Sequence, residues 1–170
     1  MPQQPARFPR MDGFEFAAAE RVVRGAWPVS VLPRLRDELH DASGEVEYEV
    51  LGRRDAHGRL CLVLRASATL QLTCRQCLGA VECALRTEAT LLLAPSQAQI
   101  DAQPLRPDGP EWIVAHKEMA VRDLVEDELL LALPYAPQHE NCPARDSNAT
   151  EMGHTPFDAL RGMLRGKNRH

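Results

Sequence analysis

The sequence predicts an α+β fold in which an antiparallel β-sheet meander carries one main helix on one face. Three observations support this class: apolar and polar residues alternate in successive runs, short turns join those runs, and one strongly amphipathic segment follows them. The 170 residues, 44% hydrophobic and 26% charged, suit one globular domain with a core of its own.

Apolar residues alternate with polar ones in three runs, at 46–50, 60–72 and 81–93. A turn signal at 55–58 and a break at 74–79 separate these runs. Because both connections are short, we expect neighbouring strands to run antiparallel.

A helix is predicted over 121–133, because its apolar residues fall on one stripe and Pro134 ends the pattern. Residues 112–114 are a candidate fourth strand, and 94–110 form a Pro-containing loop. A short helix is predicted in the C-terminal tail from Pro156.

The chain divides into three predicted parts. Residues 1–42 form an N-terminal arm with a short helix, residues 43–165 form a single α+β domain, and residues 166–170 form a basic tail. We expect flexible or short-helical tails on either side of the sheet.

Charge is distributed unevenly along the chain. Residues 1–36 hold six arginines against three carboxylates, and residues 152–170 hold four basic residues against one carboxylate, so the body between them is strongly acidic. An acidic body with basic ends favours RNA binding through the ends, and solvated tails are the alternative. The candidate phosphate contacts are Arg161, Arg165, Lys167 and Arg169.

The sequence indicates a cytoplasmic protein. No stretch approaches the roughly 18 apolar residues of a membrane span, and no apolar segment follows the N-terminal arginines as in a secretory signal. The five cysteines are an odd number and do not form the framework of a secreted disulfide protein, so bound metal or reduced thiols are expected.

Two cysteine-containing motifs predict a structural zinc site. Cys74 and Cys77 have the spacing with which a tight turn binds one metal, and His139 and Cys142 repeat that spacing, with 61 residues between the two halves. Four protein ligands would leave no open position for catalysis. The alternatives are a thioredoxin-like redox pair and cysteines that pack as small apolar residues.

The predicted helix also carries three consecutive acidic residues, Glu126, Asp127 and Glu128. At 100° per residue, Glu128 falls on the apolar stripe and the other two fall outside it. A carboxylate on that stripe needs a hydrogen-bonding or charged partner, which could lie at a strand end, on an arginine or beside the metal ligands. A boundary residue that reaches water is the alternative. We find no Gly-rich phosphate loop, nucleophile elbow or metalloprotease motif.

Several segments together resemble one family. They are TLQLTCRQCL at 69–78, DLVEDELLLALP at 123–134, the following His139 and Cys142, and the tail 148–164 with Pro156 and Phe157. In order and spacing they are similar to the YceD family of large ribosomal RNA subunit accumulation proteins, over roughly residues 44–165. Cys74, Cys77 and the acidic helix match by position, and His139 and Cys142 match more loosely.

The resemblance implies a bacterial cytoplasmic factor that supports the synthesis, processing or stability of 23S ribosomal RNA and has no enzymatic activity. Its expected partner is large-subunit RNA or an assembling particle. The alternative is an adaptor that recruits a nuclease or chaperones a ribosomal protein without contacting RNA. Neither interpretation involves a membrane or a small-molecule substrate.

Overall fold

A five-stranded, mostly antiparallel sheet dominates the computed structural model, which describes residues 8–104 and 109–142. In the order of the sheet, its strands are β2 (Val22–Pro28), β3 (Glu45–Arg54), β4 (Leu60–Thr73), β5 (Ala80–Ala94) and β6 (Glu111–Val114). A separate antiparallel pair joins β1 (Arg10–Met11) to β7 (Met119–Ala120).

Four helices accompany the strands. They are α1 (Gly13–Ala18), α2 (Pro33–Asp37), α3 (Gln97–Asp101) and α4 (Val121–Ala132), and a 3-10 turn spans Val29–Val31. The predicted α+β class and the predicted main helix are confirmed. None of the helices in the described residues is long and apolar enough to cross a membrane.

The pairing of β3, β4 and β5 is antiparallel, as the short turns predicted. The candidate fourth strand departs from the meander, because β6 pairs with β5 in parallel. The connection between β5 and β6 is long and includes α3, unlike the short turns that join the antiparallel strands.

The core lies between one face of the sheet and the helices α1 and α4. Leucines of β4 and valines of β3 alternate inward and are fully buried, and Val121, Val125 and Leu129 of α4 pack against them. Gly52 allows α1 to approach β3, since a Cβ atom at this position would lie 2.4 Å from the carbonyl oxygen of Phe16. The opposite face is polar, and Arg65 there pairs with both Glu49 and Glu88.

The N-terminal segment, where the sequence predicted an arm, contributes to this core in its described part. Strand β2 pairs with β3, and Trp27 stacks on Tyr48 with their ring centroids 4.0 Å apart. Leu32 and Leu35 are fully buried. Because β2 is an edge strand with one buried residue, it lacks the alternation that would identify it from sequence. The predicted tail helix and the boundary at 165 lie outside the described residues.

Candidate metal centre

The first half of the candidate metal centre is the turn that joins β4 to β5. The N–H of Leu78 donates to the carbonyl of Cys74 over 2.9 Å, and the N–H of Cys74 donates to the carbonyl of Gly79 over 2.8 Å. Leu78 has a φ of 63°, so this residue takes the left-handed backbone conformation that closes the turn. These contacts fold residues 74–79 into a tight loop with Cys74 and Cys77 close together.

The second half is the segment that follows α4. Its path is fixed by a hydrogen bond of 2.9 Å from the N–H of Arg75 to the carbonyl of Pro137. A second contact joins the Nε2 atom of His139 to the carbonyl of Ala80 at 2.8 Å. The segment therefore lies against the turn between β4 and β5, although 62 positions separate Cys77 from His139.

Four potential ligand atoms converge between these halves, on Cys74, Cys77, His139 and Cys142. All lie within 4.8 Å of one another. The sulfurs of Cys74 and Cys142 are 3.7 Å apart, and the sulfur of Cys77 is 3.5 Å from Nδ1 of His139. Two sulfurs that each lie 2.3 Å from a tetrahedral zinc are separated by about 3.8 Å. The predicted cluster is therefore confirmed, and its spacing suits zinc.

The orientation of His139 is also that of a metal ligand. Its Nδ1 atom faces the sulfurs, and its Nε2 atom lies against the Ala80 carbonyl. Metal-binding histidines usually donate their second ring N–H to a carbonyl or carboxylate, which fixes the tautomer that leaves the first nitrogen free to coordinate. The hydrogen bond to Ala80 is also the main reason why the pKa of His139 is raised.

The electrostatics of the cluster favour a bound cation. N–H groups of Cys77, Gln76 and His139 donate to the sulfur of Cys74 and lower its pKa to about 5. Burial, together with the neighbouring Cys77 and Cys74, raises the pKa of Cys142 to about 12. A second thiolate is therefore disfavoured beside the first, and a divalent cation would offset that repulsion.

The two alternative interpretations of the cysteines fare differently. A thioredoxin-like pair would open a helix after a parallel strand, whereas Cys74 and Cys77 lie in a turn between antiparallel strands. Packing as small apolar residues describes the two cysteines outside the cluster, since Cys61 is buried and Cys83 packs against the core.

The acidic residues of α4 lie away from this cluster. Of these residues, Glu126 is both buried and hydrogen-bonded. Its side chain is 2% exposed. Its carboxylate accepts hydrogen bonds from the N–H groups of Arg34 and Leu35, over 2.7 and 3.1 Å, and from the Arg34 guanidinium over 3.1 Å. Glu126 therefore caps the N-terminus of α2, whose own N-cap residue, Leu32, provides no side-chain hydrogen bond.

The helical wheel places Glu128 on the apolar stripe, and Glu128 is indeed buried, but the wheel places Glu126 outside the stripe, whereas the structure buries it. Helix α2 packs on the flank of α4 where Glu126 lies, which widens the buried arc beyond the apolar stripe. The sequence carried one signal of this arrangement, namely the apolar Leu32 before Pro33, where a capping side chain is usual.

Glu128 is also buried, but it lies on the opposite flank of α4. The ion pairs that α4 makes within the described residues involve Asp123, Glu126 and Asp127 and leave Glu128 without a cation. It lines a groove of about 280 Å³ between α4 and β6, together with Glu111, Ile113 and the exposed Leu131. Burial and then the charges of Glu111 and Asp127 raise the pKa of Glu128.

Glu128→Gln is expected to stabilise the protein at neutral pH. A carboxyl whose pKa is raised on folding destabilises the folded state when it is charged, and this penalty disappears as the pH falls below its unfolded value near 4.3. The melting temperature of the variant should exceed that of the wild type at pH 7.5, and the two should converge near pH 4. Equal melting temperatures at pH 7.5 would contradict the desolvation of Glu128.

A family model described as large ribosomal RNA subunit accumulation protein YceD matches residues 62–160, which is more than half of the chain. The match includes all four ligands of the cluster and the whole of α4. No curated protein and no solved structure matches the chain. The family description concerns the accumulation of ribosomal RNA and supports a role in ribosome biogenesis, and it names no reaction. The chain therefore belongs to the YceD family of large ribosomal RNA subunit accumulation proteins.

Proposed function

We propose that this protein supports the accumulation of 23S ribosomal RNA by binding the precursor RNA or the assembling large subunit, and that it does so without catalysis. The family match over residues 62–160 is the observation that carries this proposal. A zinc ion held by Cys74, Cys77, His139 and Cys142 would have a structural role in it, because four protein ligands would leave no coordination position for a substrate.

Direct contact with RNA is supported by the distribution of charge. The body of the chain is acidic, so contact with phosphates falls to the basic ends. The C-terminal group consists of Arg161, Arg165, Lys167 and Arg169, which lie outside the described residues.

Changing all four basic residues of the C-terminal group to glutamine is expected to weaken RNA binding. Each phosphate contact contributes about 0.7 to the slope of log affinity against log salt for a single strand. The variant should therefore lose affinity at low salt, and its slope should fall by about 2 to 3. Fluorescence anisotropy with a labelled fragment of large-subunit RNA, measured over a salt series, checks both quantities.

The double variant Arg53→Gln and Arg54→Gln provides the control, because these arginines are exposed on β3 and lie in the acidic body. It should change the slope little. If the tail variant binds RNA with the affinity and salt slope of the wild type, contact through the tail is wrong.

A second candidate function is an adaptor that holds a basic segment of another protein without contacting RNA. The groove between α4 and β6 favours it, because the groove combines the exposed apolar Leu131 with Glu128, which is buried and has no cationic partner in the described part of the chain. An inserted lysine or arginine would neutralise that carboxylate. The adaptor alternative predicts that the tail variant retains whatever affinity for RNA the wild type has.

A further inference from the structure

We propose that a cavity beside the metal centre binds one unpaired nucleobase of the RNA, with Tyr135 as the surface on which the base stacks. This inference rests on the proposed function and specifies where the folded domain, as distinct from its tails, contacts RNA. The cavity lies where the end of α4 meets the end of β4.

The cavity has the size and lining of a site for a small planar group. Its volume is about 480 Å³, within the usual range for small-molecule pockets. Leu72 and Leu133 contribute apolar walls, and Glu38, Thr73 and Arg75 contribute polar groups. Apolar surface can pack against the faces of a heterocycle, and polar groups can form hydrogen bonds with its edge, so this mixed lining suits a small heterocycle.

Tyr135 is the most exposed large hydrophobic side chain in the described part of the chain, at 89%. The guanidinium of Arg75 lies over its ring, 5.4 Å from the centroid. Most of the ring surface therefore remains free. Unpaired bases stack on aromatic side chains and on guanidinium planes, and Tyr135 and Arg75 provide both surfaces at one place.

The polar groups of the cavity favour a base over a phosphate. Arg75 is accompanied by the carboxylate of Glu38, so the lining has no net positive charge to attract an anion. A guanidinium and a hydroxyl can donate hydrogen bonds, and a carboxylate and a hydroxyl can accept them. The edges of nucleobases carry both donors and acceptors, and this set matches them.

The two stacking residues lie close in sequence to the candidate metal ligands. Arg75 lies between the ligands Cys74 and Cys77, and Tyr135 precedes the ligand His139 by four positions. The hydrogen bond from Arg75 to the Pro137 carbonyl joins the same two segments. A bound zinc would therefore fix the separation of Arg75 and Tyr135 and reduce the entropic cost of ordering them on RNA.

The test uses the full-length, zinc-loaded protein and a labelled single-stranded RNA of about twelve nucleotides. Tyr135→Ala should raise the Kd about tenfold, the effect typical of removing one aromatic stacking partner. The salt slope should not change, because no phosphate contact is lost. Tyr135→Phe should bind like the wild type, since the ring is retained. Val22→Ala, which shortens an exposed apolar side chain on the edge strand β2, is the matched control.

An RNA of the same length with abasic positions separates stacking from a structural effect. It should bind the wild type about tenfold more weakly than the normal RNA, and Tyr135→Ala should add no further loss. The stacking site would be overturned if Tyr135→Ala bound the normal RNA with the Kd of the wild type. It would also be overturned if the substitution weakened binding to the abasic RNA as much as it weakened binding to the normal RNA. If the wild type binds neither RNA, the proposed function itself fails, which is a different result.

Discussion

Cys74→Ala is expected to remove one zinc ion per chain and to lower the stability of the protein by about 4 kcal/mol. This figure is the linkage contribution of a ligand that is present at about a thousand times its Kd. For a protein of this size, it corresponds to a fall in melting temperature of about 10 °C. Native mass spectrometry of protein purified without chelator counts the metal, and thermal denaturation measures the loss of stability.

Cys83→Ala is the matched control, because Cys83 is partly buried and lies outside the cluster. It should retain the zinc and melt within a few degrees of the wild type. Chelation of the wild type should reproduce the melting temperature of Cys74→Ala. If neither the wild type nor Cys74→Ala contains zinc, the four residues of the cluster are packing residues and the proposed metal centre is wrong.

Glu126→Ala is expected to cost about 3 kcal/mol of stability, although Glu126 is a charged residue on a surface helix. Its removal leaves the N–H groups of Arg34 and Leu35 without their acceptor, and each unsatisfied buried donor costs about 1–3 kcal/mol. Glu126→Gln should cost less, because an amide oxygen can still accept these hydrogen bonds. Urea denaturation of both variants gives the two free energies of unfolding.

Asp127→Ala tests whether Glu126 stabilises the protein by capping α2 or through its ion pair with Arg34. Asp127 also pairs with Arg34, but both side chains of that pair are about half exposed. Exposed ion pairs contribute about 1 kcal/mol or less, so this variant should unfold nearly like the wild type. A loss at Asp127 equal to the loss at Glu126 would contradict the capping role.

Elements with a clear period could be predicted from the sequence. Strand β4 alternates apolar and polar residues along its length, and α4 carries an apolar stripe that ends at Pro134. The edge strand β2 could not be found in this way, because Trp27 is its one buried residue and no alternation results. The parallel direction of β6 depends on the path of a long connection, which local patterns do not determine.

Some residues of the candidate site could likewise be predicted from the sequence, and others could not. Cys74, Cys77, His139 and Cys142 could be selected because few residue types bind zinc and their spacing in each half is characteristic. The cap formed by Glu126 could not be predicted, because the wheel of one helix contains no information about a second helix packed on its flank. The cavity beside Tyr135 likewise depends on three segments that are distant in sequence.

The long separation of the metal ligands has a consequence for folding kinetics. Cys74 and Cys142 are 68 positions apart, and strands β5 and β6 and the docked α4 lie between them in the sequence. An unfolded chain can offer zinc only one half of the site at a time, so the complete site forms after the sheet and the helix have packed. Interactions that form after the transition state slow unfolding and leave the folding rate nearly unchanged. Zinc would therefore lower the unfolding rate and lengthen the lifetime of the folded protein, while the folding rate would change little.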